Sequence, residues 1–388
     1  MSESVCQSGR MKQISDENEF TLSHKHSHTW SNEGFYSFSV TAFVIQRYLK
    51  SVSEDWMELQ AEGLLQHTYE FGKSAQVTVN GTIIFSCQGK IFTYSVSSKR
   101  LSQTLSANSS INELVESLKK EIKENNPLRR EHLHIIQTDF GLAAVHKKQP
   151  TVSFDDLIIP AGIKDDIFDN TIFQLKHLRA NNGIIFHGAP GTGKSLACKA
   201  VIRSAIAAGF STCFIVGAVE FELLTEFIET FLGPTVLVVE DIDTFGCDRE
   251  RSPRRLADFL QFLSGLSELK EPLIVIATTN YVDRLDAALG NRPVRFNRKY
   301  EFKHPTNAEI DALIGLHFSN PSIEPEQKAL CYDKEFTGAH ISEVKRMTVI
   351  LSKKHAKPEH ETFSQAVESV HAHFSPMLKT VGFGSLNP

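Results

Sequence analysis

The stretch best equipped for chemistry is Gly188-Ala189-Pro190-Gly191-Thr192-Gly193-Lys194-Ser195. It fits the phosphate-loop pattern G-x-x-x-x-G-K-[ST] without a mismatch. Glycines at these places let backbone N–H groups turn inward around phosphate oxygens. A helix N-terminus directly after them adds partial positive charge. Lys194 would reach the β- and γ-phosphates, and the Ser195 hydroxyl would sit on Mg²⁺. Leu196 completes the expected nucleotide-binding set, whose ligand is ATP with Mg²⁺.

A second group of chemical residues follows: Glu240-Asp241-Ile242-Asp243, then Asn280. ATP hydrolysis needs one carboxylate for the Mg²⁺ shell and another to orient or deprotonate the attacking water. An amide such as Asn280 would hold that water or the γ-phosphate. Taken singly, such acids also cap helices and such an asparagine also makes turns. Beside a phosphate loop in one sheet, the catalytic reading prevails.

These residues need a scaffold that gathers them, and the apolar pattern supplies one. Gly183–His187, Thr212–Val216, Val236–Val239 and Leu273–Ala277 read as buried strands separated by helical stretches. Continuous apolar strands alternating with helices predict an α/β parallel sheet covered on both faces. Its ligands are expected at the strand ends where the polar residues collect. Between the second and third strands there is room for about one helix, Glu220 to Phe231.

From Phe154 to about Glu368 the chain resembles the AAA ATPases of the AAA+ superfamily, over a little more than half its length. The phosphate loop is the Walker A match. Val239-Glu240-Asp241-Ile242-Asp243 is similar to Walker B, with Glu-Asp where most members read Asp-Glu. The resemblance implies a metal-shell role for Glu240, a catalytic-base role for Asp241 and a sensor 1 role for Asn280. Leu285 to Arg298 is similar to the second region of homology, which implies that Arg295 and Arg298 are arginine fingers for a neighbouring subunit. Phe336-Thr337-Gly338-Ala339-His340-Ile341 resembles the sensor 2 turn, with Gly338 and Ala339 packing near the nucleotide instead of an arginine. The short helical spacing and the Glu-Asp-Ile-Asp run look most like the mitochondrial AAA translocase that moves folded Rieske protein. That relative carries a membrane anchor which this chain is expected to lack, so its substrate and location do not transfer. The family implies a homo-oligomer, a hexamer or similar ring, coupling ATP hydrolysis to remodelling, disassembly or translocation of a protein. A DNA-associated helicase or clamp-loader type and a nucleotide-gated scaffold with weak hydrolysis are the alternatives.

The N-terminal third is less legible. Residues 1–32 read as a lead-in whose His24, His26 and His28 alternate, either as a metal cluster or as a polar segment. Residues 33–147 read as an α+β domain for a substrate or adaptor, or as support for a ring surface. Its expected elements are a helix from Gly34 to about His67, a three-stranded meander turning at Asn80-Gly81 and Gln88-Gly89, a serine-rich loop over Ser97–Ser110, a capping box at Ser110–Glu113 and a strand over His132–Thr138. Residues 148–304 read as the ATPase core, and 305–388 as a helical lid and tail. The 388-residue chain is 41% hydrophobic, which supports packed cores. Its formal charge of −5 gives no general pull towards nucleic acid or an anionic membrane. Arg249, Arg251, Arg254 and Arg255 are the local exception, either a solvated loop or a second pore loop touching an acidic protein segment or nucleic acid, of which nucleic acid is not favoured. Six cysteines without a C-x-x-C predict neither zinc nor a disulfide framework, and the expected location is cytoplasmic.

Overall fold

The computed structural model describes residues 26–32, 35–70, 73–243, 253–281, 296–318, 323–332 and 334–374. Two sheets organise it. The first is antiparallel and five-stranded, in the order β1-β5-β4-β3-β2. Its strands are β1 (His26–Ser31), β2 (Asp55–Glu70), β3 (Lys73–Cys87), β4 (Lys90–Ser97) and β5 (Ser102–Ala107). Helix α1 (Phe35–Val52) packs on it and buries Phe38, Val44, Ile45 and Leu49 completely.

Four local expectations change here. The helix predicted to about His67 ends at Val52, and Trp56 and Leu59 lie on β2. There Trp56 pairs with Phe85, their rings 6.1 Å apart. A helical apolar spacing had suggested otherwise, but a long-range partner strand outweighs local periodicity. Asn80-Gly81 makes no hairpin turn; it lies inside β3, opposite a register shift in β2. Gly81 takes φ 135°, and the Asn80 side chain accepts hydrogen bonds from the Ser98 amide and hydroxyl. Only Gln88-Gly89 turns as expected, with φ of 52° and 70°. The serine-rich segment is not all loop, because β5 runs through it. Buried Gln103 explains why: its amide donates to Phe38 O, and its Oε1 accepts from Tyr94 Oη. The box at Ser110–Glu113 does not form either. Helix α2 (Asn112–Glu124) starts after Ile111 with no side-chain cap.

The second sheet has seven strands in the order β12-β8-β11-β10-β9-β6-β7. These are β6 (His132–Thr138), β7 (Gly141–His146), β8 (Asn182–His187), β9 (Ser211–Val216), β10 (Thr235–Val239), β11 (Leu273–Thr279) and β12 (Arg298–Glu301). All but β7 pair in parallel. The four strands read from the sequence are all present. The boundary expected at 147/148 falls after β6 and β7, which hydrogen-bond into this second sheet.

Both faces of the sheet are covered. On one, α3 (Ala161–Phe168), its π-type continuation over Asp169–Leu178, and α4 (Lys194–Ala207) bury Ile184, Phe186, Val236, Val238, Ile274 and Ile276. On the other, one core runs from α1 and α2 through α5 (Phe221–Phe227) and α6 (Pro253–Ser264). Alternate residues of a strand face opposite sides, so one apolar run fills both cores. The shared core welds the first sheet to the second. Asn126 adds a polar tie by donating to Phe231 O, and Lys123 pairs with the buried Glu271. As the spacing predicted, α5 and its π-type extension (Ile228–Leu232) form one helical run between β9 and β10. A separate apolar cluster joins four further helices: α7 (Asn307–His317), α8 (Pro325–Tyr332), α9 (Gly338–His355) and α10 (Glu359–Phe374).

Candidate functional site

Parallel register gathers the chemical residues. His187 at the end of β8 pairs with Thr279 of β11, and Val239 at the end of β10 pairs with Ala277. The phosphate loop, Glu240-Asp241 and Asn280 therefore leave adjacent strands at the same end of the sheet.

The loop needs its glycines for stated reasons. Gly188 has φ 139°, and a Cβ there would lie 2.2 Å from Phe302 O on the neighbouring chain segment. Gly191 has φ 79°, and a Cβ would meet Thr337 Oγ1 at 2.6 Å and Ala339 Cβ at 2.8 Å. Gly193 has φ 106° and opens on free space. The loop is thus tight against the protein at two points and open at the third, as a cradle for a ligand must be. Thr192 Oγ1 steadies the turn by donating to Ala189 O.

Lys194 opens α4 and is buried. Its ammonium donates to Gly188 O at 2.7 Å and Ala189 O at 2.9 Å, which holds it over the loop. Burial lowers its pKa, while the carboxylates of Asp241, Asp243 and Glu240 pull the other way. Ser195 and Leu196 are exposed beside it.

The acids divide their positions. Asp241 is exposed, with a left-handed φ of 50°. Its amide donates to Thr278 Oγ1 at 3.0 Å, and its Oδ1 accepts from Asn280 Nδ2 at 3.4 Å. Glu240 is half-buried, and its charge acts on both Lys194 and Cys198 of α4. Asp243 was part of the sequence motif without a role, and the structure provides one. Its Oδ1 accepts from Thr279 Oγ1 at 2.8 Å and from the Asn280 amide at 3.3 Å, so it positions the asparagine. The Thr278-Thr279 pair before Asn280 was the available signal.

The C-terminal helical cluster touches this site directly. Ala339 N–H donates to Gly191 O, and Gly338 lies against the same carbonyl. The turn is seated by His340, whose Nδ1 accepts the Thr337 amide at 3.0 Å. That bond requires an unprotonated Nδ1. Burial and the charge of His304 lower the His340 pKa below its ordinary 6.5. The cap is therefore fully present above pH 6.5 and is lost as pH falls through the lower folded value. The protection factors of the Thr337 and Ala339 amides, which correct exchange for its intrinsic slowing in acid, are expected to fall on acidification in the native chain. In His340→Gln, which keeps an acceptor that does not titrate, that acid-side fall should be absent.

Arg298 stands elsewhere. It begins β12, pairs with Ile184, and its Nε donates to Asn170 Oδ1 at 3.3 Å. This places it about 10 Å back from the loop end of β8. Arg295 lies outside the described residues, as do Arg249, Arg251 and His24. Arg254 and Arg255 are in α6, while His26 and His28 lie on β1, where His28 packs edge-on against Trp30. Among the described residues no cluster suited to a bound metal is found, and no helix is long and apolar enough to cross a membrane.

The loop, buried lysine, paired carboxylates and exposed Ser195 fit a nucleotide phosphate with a divalent cation. Ser195 and Glu240 would hold the cation.

Residues 184–304 match the family described as "ATPase family associated with various cellular activities (AAA)". Protein CdcH of Halobacterium salinarum is 29% identical over 48% of this chain and 27% of its own length. The ATP-dependent zinc metalloprotease FtsH 3 of Symbiobacterium thermophilum is 28% identical over 53% of this chain and 37% of its own. A 26S proteasome regulatory subunit 4 homolog of Saccharomyces cerevisiae is 25% identical over 58% of this chain and 57% of its own. The chain thus spans between about a quarter and somewhat over half of these relatives.

Proposed function

With residues 184–304 an AAA-family domain, we propose that this chain is an oligomeric ATPase that remodels, disassembles or translocates a protein substrate. The reaction is ATP plus water to ADP plus phosphate. The observation that carries the reading is the division of the site. Lys194, Glu240, Asp241 and Asn280 converge at one sheet end, while Arg298 is held away from it on β12.

In this mechanism the loop amides and Lys194 bind the phosphates. Asp241 orients the attacking water and takes its proton, and Asn280 fixes the angle of that carboxylate. Asp243 holds Asn280 in turn. A bound Mg²⁺ would supply charge neutralisation at the phosphate oxygens. Arg298, with Arg295, completes the site of the neighbouring subunit, where a planar guanidinium stabilises spreading negative charge. Phe173 and Leu178 support such a contact: they stand 46% and 67% exposed on the helical run that carries Asn170, next to Arg298. Apolar surface of this kind marks association sites. The free thiols among the described residues, Cys87, Cys198, Cys213 and Cys331, accord with a cytoplasmic location.

Specific ATP turnover should therefore rise with protein concentration and level off as larger assemblies form, followed by phosphate release alongside light scattering. A constant specific activity from a monomer would exclude the shared site.

A further inference from the structure

The β6–β7 hairpin offers a surface that the nucleotide site does not use. Phe140 at its tip is 74% exposed, the most exposed of the large apolar side chains described. Its turn is firmly built. Thr138 Oγ1 donates to Gly141 O at 2.7 Å and accepts the Phe140 amide at 3.2 Å, and Gly141 takes φ 96°. A phenyl held out on a braced turn costs solvation without adding to any core.

The hairpin's place in the sheet gives this meaning. β6 runs parallel to β9, with Ile136 beside Val216, so the tip emerges at the same sheet end as the phosphate loop. Val216, at the end of β9, is itself 44% exposed. The Glu220 amide donates to Gln137 Oε1 at 3.2 Å, which ties the hairpin to the segment after β9. From β9 the sheet passes directly to β10, whose end bears Glu240 and Asp241. Exposed Asp139 adjoins Phe140 in the turn, and exposed Glu220 and Glu222 follow Val216 in the chain.

We propose that Phe140 and Val216, with Asp139 and Glu220, form a grip for an extended polypeptide segment rich in apolar and basic side chains. The proposal rests on the protein-remodelling reading and names the substrate class for it. A narrow ridge of one hairpin tip and one loop suits single side chains of an extended strand. The acids select positive charge by complementarity.

Two short fluorescent peptides of equal length test it: one alternates leucine, lysine and serine, and its counterpart carries glutamate for lysine. The full-length chain should bind the lysine peptide more tightly. Phe140→Ala should weaken that binding roughly tenfold or more, as expected for a lost buried phenyl, with Phe140→Tyr restoring it. The Asp139→Lys, Glu220→Lys pair should reverse the preference. A photo-crosslinking residue at position 140 should capture the peptide, and basal ATP turnover should be unchanged in every variant. Unchanged peptide affinity in Phe140→Ala, or crosslinking of position 140 only to a second copy of the chain, overturns the proposal. If peptide binding fails while ATP is hydrolysed, the grip is wrong and the ATPase reading stands. If Phe140-dependent binding persists without any hydrolysis, the grip stands and the ATPase reading fails.

Discussion

Asp241→Asn is expected to bind ATP and fail to turn it over. The substitution keeps the shape of the side chain and the oxygen that accepts from Asn280 Nδ2. It removes the negative charge that would take a proton from water. Loss of a positioned general base costs roughly 10²–10⁴ in rate. Lys194 and the loop are untouched, so nucleotide affinity should remain within a few-fold of the native chain. Single-turnover hydrolysis and a fluorescent ATP analogue separate the two effects. The unusual Glu-Asp order makes the result informative. Asp241 has the shorter side chain, but its left-handed backbone turns it towards Asn280. The charges of Asp241, Asp243 and Glu240 all reach Lys194, so each acid of the motif stands near the loop lysine. Near-native turnover in Asp241→Asn would move the base role to another acid of the motif.

Arg298→Ala should lower turnover by about 10³ while leaving ATP binding intact, because arginine fingers in related NTPases contribute that much or more. The telling measurement is a mixture. Arg298→Ala subunits keep an intact loop and intact acids, and Asp241→Asn subunits keep an intact Arg298. In randomly mixed rings about a quarter of the sites would pair the two good halves, so activity should reappear on mixing two nearly inactive proteins. Without recovery, Arg298 does not act across the interface. Its bond to Asn170 would then be structural, and the variant should show a lowered melting temperature instead.

The half that bears the phosphate loop was legible because its signals are local and dense. A phosphate loop requires glycines at fixed places, and those places survive in the linear order. Four largely apolar runs could be read as buried parallel strands without knowing their neighbours. The one-helix spacing between β9 and β10 is a matter of chain length and was equally readable. The N-terminal third was harder. The residues of β2 have an apolar spacing compatible with a helix, and the pairing with β3 that decides the matter is a contact between distant segments. β5 is mostly serine, threonine and glutamine, and it becomes a strand because β1 and β4 flank it on both sides.

The amino-acid sequence by itself determined which residues could cradle a phosphate, which could supply carboxylates, and that a parallel sheet would carry them. Only the tertiary structure decided how those residues are placed relative to one another. It set Asp243 behind Asn280, seated the Thr337-Gly338-Ala339 turn on Gly191, and placed Arg298 away from its own loop. It also added β6 and β7 to the sheet and brought Phe140 to the same end as the phosphate loop. The physical reason is the same in each case. A residue's type fixes what bonds it can make, whereas its partner depends on strand register and packing between segments far apart in the chain.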